Sequence, residues 1–407
     1  MTHRLRTWRL RDALDLTLIA TTHGLSDGFA SLLVPVLALI VADLGLSTFE
    51  AGLLLSVRSV ATFVLLYPLS MLADTTGHKK GMLIAGLALA AGAYLAMGAA
   101  RSLVPLAALA FVAGAGNATY HPCGTAITAK RFEARKAVAI SFHGLGGNIG
   151  TSLMPLLQSA VVTVAGWRMA IAACVLPAAV LLPLVGIRFP GRDGAPAAPG
   201  AGEEPGPPER HPGALTARVL RNRNVVLLAL VYAFQGLCSK GLIGLLPLLA
   251  AERFELDTPA IGVVVSVYYT VGIFSKALMG FLYNRWGARL ALLVPLLLGG
   301  LFALGIGLLP WQGALLPLAA LLGLVIPISP IILTAAADLC DEEVLASSVG
   351  VIYTAYGLGF LSPLIGGWLA TQVGWPASYA FFALMTWTGA GVSALLPAAR
   401  RFPESRM

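Results

Sequence analysis

The sequence predicts an all-α membrane protein with twelve transmembrane helices in two pseudo-symmetric halves of six. Three observations predict it. Of the 407 residues, 57% are apolar and only 11% charged, and the mean hydropathy is +0.83; a soluble domain carries about 25% charged residues. The apolar residues fall into runs near the ~20 that a bilayer core requires. The chain also repeats itself. Ser70, Leu72, Asp74 and Gly77 in SMLADTTGHKK are answered 210 residues later by Gly280, Leu282, Asn284 and Gly287 in GFLYNRWGARL. Pro122, Pro155, Gly166 and Trp167 are answered by Pro330, Pro363, Gly374 and Trp375, each 208 residues on. A repeat of that length means two fused halves of like topology, not a solenoid, whose units are far shorter.

Taken in order, the spans of the first half are expected near 14–41, 51–73, 82–100, 104–129, 137–164 and 168–187. The first follows the basic stretch MTHRLRTWRLRDALD and shows no small-residue cleavage site, so it reads as a span, not a removed signal. The spans of the second half are expected near 225–250, 259–283, 290–309, 314–337, 346–373 and 377–397. Residues 188–224, rich in Pro, Gly and charge, cannot bury a core and read as a flexible cytoplasmic linker between halves at 1–187 and 225–407. The four cysteines, Cys123, Cys174, Cys238 and Cys340, lie in or beside apolar segments without a CxxC pair, which indicates neither a disulfide framework nor a zinc site.

With the N-terminus inside, 21 of the 27 Lys and Arg residues fall on the cytoplasmic side, and only Arg101, Arg168 and Arg253 fall in loops on the other. Both termini are therefore expected in the cytoplasm, with the chain in a bacterial inner membrane. The net charge of +8 is spread over short loops facing an anionic leaflet, so it calls for no nucleic acid.

Arg58, Lys240 and Lys276 remain inside apolar helices, and so does one acid, Asp27. A charge at the bilayer centre costs about 2.5–3.5 kcal/mol, so each is expected to face a cavity or a partner. His23 lies one turn before Asp27 on the same helix face. A carboxylate beside an imidazole suits proton binding, since either can change charge at accessible pH; a hydrogen bond to a neighbouring helix is the plainer role for Asp27. Arg58 and Lys240, one from each half, could hold an anion, or one of them could pair with Asp27. Lys276, nearer a helix end, can snorkel to the interface. Tyr268 is the repeat counterpart of Arg58, and Gln235, Tyr353 and Tyr356 add polar tips that either line a cavity or pack. Asn117, Tyr120 and His121 on the fourth span, with His143 and Asn148 on the fifth, form a denser polar cluster. The run GLGGNIGTS on the fifth span permits close helix approach.

SMLADTTGHKK resembles the loop 2–3 signature of the major facilitator superfamily. Asp74, Gly77 and Lys79 match it, while Ser70 and Thr75 replace the usual Gly and Arg; the second copy keeps Gly280, Arg285, Gly287 and Arg289 but has Asn284 for the acid. The resemblance implies that Asp74, Gly77, Lys79, Arg285, Gly287 and Arg289 take part in conformational gating. Within that superfamily, His23-x3-Asp27, Tyr120-His121-Pro122 and Gly146-Gly147-Asn148-Ile149-Gly150…Pro155 resemble the fosmidomycin-resistance group of drug exporters, with Cys123 where that group carries an acid. The expectation is a monomeric, proton-coupled secondary transporter of a small molecule. It would act by alternating access with the site where the halves meet, and export an anionic or amphipathic compound by proton antiport. Asp27, His23 and His121 are the expected proton-coupling residues. Arg58, Lys240, Tyr120, His143, Asn148, Gln235, Tyr268, Tyr353 and Tyr356 are the expected substrate-binding ones. Import of an organic anion by symport and a non-transporting assembly role stand as alternatives. No HExxH spacing, nucleophile motif or ATP-binding loop is present, which argues against an enzyme, a metal centre or a cofactor.

Overall fold

A computed structural model describes residues 10–189, 218–340 and 345–397 of the chain. The linker expected over 188–224 lies largely outside the described residues, as do Arg4, Arg6, Arg9, Arg400, Arg401 and Arg406, and the side chain of Asp74. The described residues are helical almost throughout and contain no strand. They form fifteen α-helices: α1 Leu10–Ser31, α2 Leu37–Leu44, α3 Thr48–Thr76, α4 Lys79–Met97, α5 Leu103–Ala118, α6 Tyr120–Arg131, α7 Lys136–Val175 and α8 Pro177–Arg188. The rest are α9 Arg223–Phe254, α10 Thr258–Leu308, α11 Leu315–Val325, α12 Ser329–Leu339, α13 Leu345–Gly357, α14 Leu361–Gln372 and α15 Trp375–Ser393.

Fifteen helices make twelve spans because some spans are broken and some helices are fused. Prolines make the breaks, because a proline cannot donate to the carbonyl four residues back. Pro35 deprives Ser31, where α1 stops; Pro122 deprives Ala118, where α5 stops; Pro330 deprives Ile326, just past α11. The continuous helices expected over 14–41, 104–129 and 314–337 are therefore each two pieces, and those expected over 168–187 and 346–373 are interrupted at Leu176 and at Leu358–Phe360. Glutamines serve the opened backbone: Gln158 Nε2 donates to the Leu32 carbonyl at 2.8 Å and Gln235 Nε2 to the Ile326 carbonyl at 3.0 Å. Conversely, α7 and α10 each run through a reversal at one glycine, Gly166 (φ 74°, ψ 173°) and Gly287 (φ 71°, ψ 174°). That backbone region is essentially closed to residues with a Cβ. Gly77 and Gly374, repeat partners of Gly287 and Gly166, also have positive φ, at 65° and 110°.

The chain forms two compact units, residues 1–36 with 58–201, and residues 37–57 with 202–407. In the first, α1 packs chiefly on α7, and α4 on α5, α6 and α8. In the second, α9 packs on α13, α14 and α15, and α10 on α11, α12 and α15. The repeat extends to the packing. A Cβ on Gly150 of α7 would overlap the Gly24 carbonyl of α1, and one on Gly359 would overlap the Gly236 carbonyl of α9. Two of the arginines that the sequence leaves on the minority side have a matching task. Arg168 donates to the carbonyls of Gly98 (3.0 Å) and Ala100 (3.2 Å) beyond α4, and Arg253 to those of Gly307 and Leu308 at the end of α10. A cation at a helix C-terminus complements both the open carbonyls and the dipole.

A polar cluster of histidines around Asp27

Within the first unit, α1, α6 and α7 bring five of the sequence-singled residues together. The break before Pro122 starts α6 at Tyr120, which places Tyr120 and His121 beside α1. The glycines of α7 let it touch α1, and Gly147 makes the room. A Cβ there would lie 2.9 Å from His23 Nε2 and Cε1 and closer still to the Asp27 carboxylate.

Asp27 sits between two imidazoles. His23 Nε2 lies 3.4 Å from its Oδ2 and His121 Nε2 3.4 Å from its Oδ1. The His23 side chain is 10% exposed, Asp27 24% and His121 50%, so the cluster opens from a buried wall to an accessible mouth. His23 Nδ1 is 2.7 Å from the His143 carbonyl. A carbonyl only accepts, so Nδ1 donates and the neutral ring has its lone pair on Nε2, facing Asp27. The Tyr120 hydroxyl donates to the Ile19 carbonyl at 3.0 Å and so accepts from His143 Nε2 at 3.2 Å. The His143 and Tyr120 rings stack on His23, with centroids at 4.1 and 5.2 Å. Asn117 accepts from Ser26 at 3.0 Å next to this group. Asn148, on α7, is half-buried beside Gly147.

Arg58 is not a partner of Asp27. Its Nε donates to the Tyr94 hydroxyl at 3.3 Å, which donates to the Phe29 carbonyl at 2.5 Å. No carboxylate of the described residues lies within ion-pair distance of Arg58, whose partner is the neutral Tyr94 hydroxyl. In the second unit, Lys240 Nζ stands 5.1 Å over the Tyr356 ring. Tyr356 stacks on Tyr232 at 4.5 Å, and Tyr353 meets Tyr232 edge-on at 5.3 Å. Tyr268 packs edge-on to Tyr269 at 5.2 Å, buried. Gln235 has its amide nitrogen on Ile326, while its buried Oε1 makes no hydrogen bond among the described residues. Of the gating residues, Gly77 and Gly287 stand at reversals, Lys79 opens α4, and Arg285 and Arg289 flank Gly287 on α10.

Sequence reasoning missed the most buried acid. Asp15 on α1 is 1% exposed and accepts from Arg131 Nε (3.1 Å) and Nη2 (2.8 Å) and from Arg188 Nε (2.9 Å). Arg131 Nη2 also reaches Asp12 at 2.8 Å. The two acids open α1, and the two arginines close α6 and α8, each at the dipole end that favours it. The available signal was Asp12-x2-Asp15 in the first turns of an apolar span. A groove of about 750 Å³ lies along α1, α7 and α8. Leu16, Gly24, Phe142, Ile149 and Leu153 line it, and it includes none of the titratable cluster.

The sequence model of the Major Facilitator Superfamily matches residues 19–362 and 228–406. No curated protein matches the chain. Among solved structures, a bacterial homolog of the human lysosomal transporter Spinster, inward-facing and unoccupied, has a TM-score of 0.77 at 15% identity, with 96% of each chain covered. The same protein in its occupied form gives 0.76 at 14% identity and the same coverage. The nucleoside transporter NupG gives 0.77 at 14% identity, covering 93% of this chain and 98% of its own. At these identities the likeness is one of fold.

Proposed function

Since the chain belongs to the Major Facilitator Superfamily and is a multi-pass membrane transporter, we propose that it couples the flux of a small anionic or amphipathic compound to protons. It works by alternating access as an exporter, by proton antiport, akin to the fosmidomycin-resistance group. The observation that carries this reading is Asp27 held within 3.4 Å of both His23 and His121. A carboxylate and two imidazoles in an apolar helix bundle form a group whose charge changes by one proton at accessible pH. Tyr120 and His143 orient the inner imidazole, and His121 at the mouth is the exchange route. Arg58, paired only with a neutral hydroxyl, and Lys240, over an aromatic ring, favour an anionic substrate. The protein acts as a monomer in a bacterial inner membrane with both termini in the cytoplasm. The 188–224 segment links its halves, and the glycine loop carrying Asp74 gates the cycle with its second-half copy at Arg285–Arg289.

The test is flux in proteoliposomes under an imposed pH gradient, over a panel of phosphonates and carboxylates. Asp27→Asn, which can neither take up nor release a proton, is expected to abolish gradient-driven flux while leaving the protein folded. Wild-type rate and pH dependence in that variant would refute the assignment.

A further inference from the structure

We infer that His23, Asp27 and His121 also form a binding site for one borderline divalent cation of the zinc, cobalt or nickel type. The ligand atoms of the three residues all lie within 4.8 Å of one another. The two 3.4 Å separations are the informative ones. They exceed the ~2.7–2.9 Å of a charge-assisted N–H···O bond. Each is close to the edge of a tetrahedron around a metal with bonds of about 2.05 Å, roughly 3.3 Å; they run to the two different oxygens of Asp27, so the donor set, within 4.8 Å, draws in around one ion as it binds. His23 Nδ1 donates to the His143 carbonyl, so its Nε2 lone pair points at a carboxylate that is also a pure acceptor. Two acceptors facing each other call for a proton or a metal cation between them. The outer shell of a metal-binding imidazole is in place as well, because the carbonyl fixes the tautomer and the His143 and Tyr120 rings hold the ring plane.

The donor set selects the ion. Two imidazole nitrogens and one carboxylate suit zinc, cobalt, nickel or copper(II); magnesium and calcium want oxygen, and copper(I) wants sulfur. His23 and Asp27, one turn apart on α1, make a fixed pair. His121 on α6, half exposed, closes over the ion and leaves a fourth position for water or a ligand. The inference shares residues with the proton reading but does not depend on proton coupling.

The test uses the full chain, purified without a polyhistidine tag and stripped with chelator. Cobalt is followed by its visible absorption and zinc by calorimetry. One ion per chain is expected, with cobalt bands of a low-symmetry, four- or five-coordinate site that zinc erases. His23→Gln and His121→Gln should each weaken binding by more than the roughly 10- to 100-fold that loss of an outer-shell partner costs, while His78→Gln, at an exposed position before α4, should change nothing. Should His23→Gln fail to fold, His121→Gln carries the test, since Asp27 is the only polar partner of His121 among the described residues. No saturable binding at micromolar metal, or equal affinity in the wild type and His121→Gln, would overturn the inference. Metal binding without gradient-driven flux would sink the proton reading alone, and flux without metal binding would sink this one alone.

Discussion

Replacing Gly147 with alanine separates the geometry of the cluster from its chemistry, because it alters no titratable group. The new methyl would lie 2.9 Å from two His23 ring atoms, where ordinary contact begins near 3.4 Å. The ring must therefore recoil by about 0.5 Å and the Asp27 carboxylate by more. Separating α1 from α7 would relieve the clash only by giving up the close backbone packing of Gly24 on Gly146 and Gly150 along the same line. Overpacking of this kind costs about 1–3 kcal/mol, which corresponds to a roughly 5- to 150-fold loss of the intact arrangement. Gradient-driven flux should fall by a factor in that range, while the protein still elutes as a single species. Gly144→Ala is the control. It lies three residues away on α7 with nothing within 4 Å of its Cβ, and it should raise stability slightly, since alanine favours a helix by about 1 kcal/mol. Equal flux in the two variants would refute the claim that the Asp27–histidine geometry matters.

Asp15→Asn leaves two arginines facing a neutral amide. Loss of one partner of a buried pair costs about 3–5 kcal/mol, and with both arginines about one-third exposed the lower end is expected in thermal unfolding of the purified protein; an unchanged Tm would show the network to be idle. Gly166→Ala meets no atom within 4 Å, so only its backbone conformation is at issue. A loss of about 1–3 kcal/mol is expected, again read as Tm. Arg58→Gln should weaken binding of anionic substrates more than of neutral analogues, and Arg58→Lys should restore part of it, because a point charge lacks the bidentate fork. Equal losses for charged and neutral ligands would make Arg58 purely structural.

Periodic features were legible in the sequence. The repeat at 208–210 residues was legible as two like halves, and its glycines, Gly77 with Gly287 and Gly166 with Gly374, all take positive φ. The meeting of His23, Asp27, Tyr120, His121 and His143 was legible in part, since polar groups in apolar helices must find each other. Partners of charges were not. Asp15 was hidden because its arginines lie 116 and 173 residues away and read as loop charges. Arg58 went to Tyr94, a hydroxyl with nothing in its surroundings to mark it. Gln235 read as a polar tip that lines a cavity or packs, and what the sequence did not show is that its amide nitrogen donates to the Ile326 carbonyl, which Pro330 cannot serve. His23, Asp27 and His121 were legible as a proton-binding set but not as metal donors, with two on one helix turn and the third about a hundred residues on.

The Asp15 network also sets an order of events during synthesis. Its carboxylate leaves the ribosome early, Arg131 follows 116 residues later and Arg188 173 residues later. At about 5–20 residues per second, the second arginine arrives roughly 9–35 seconds after the acid it must neutralise. Until then Asp15 has only Arg131 of its two arginines to pair with. Arg188 is the last residue of α8 and the first of the 188–224 segment expected to link the halves. The lock on the first six spans thus closes as the last of them is finished, before any of the second six exists.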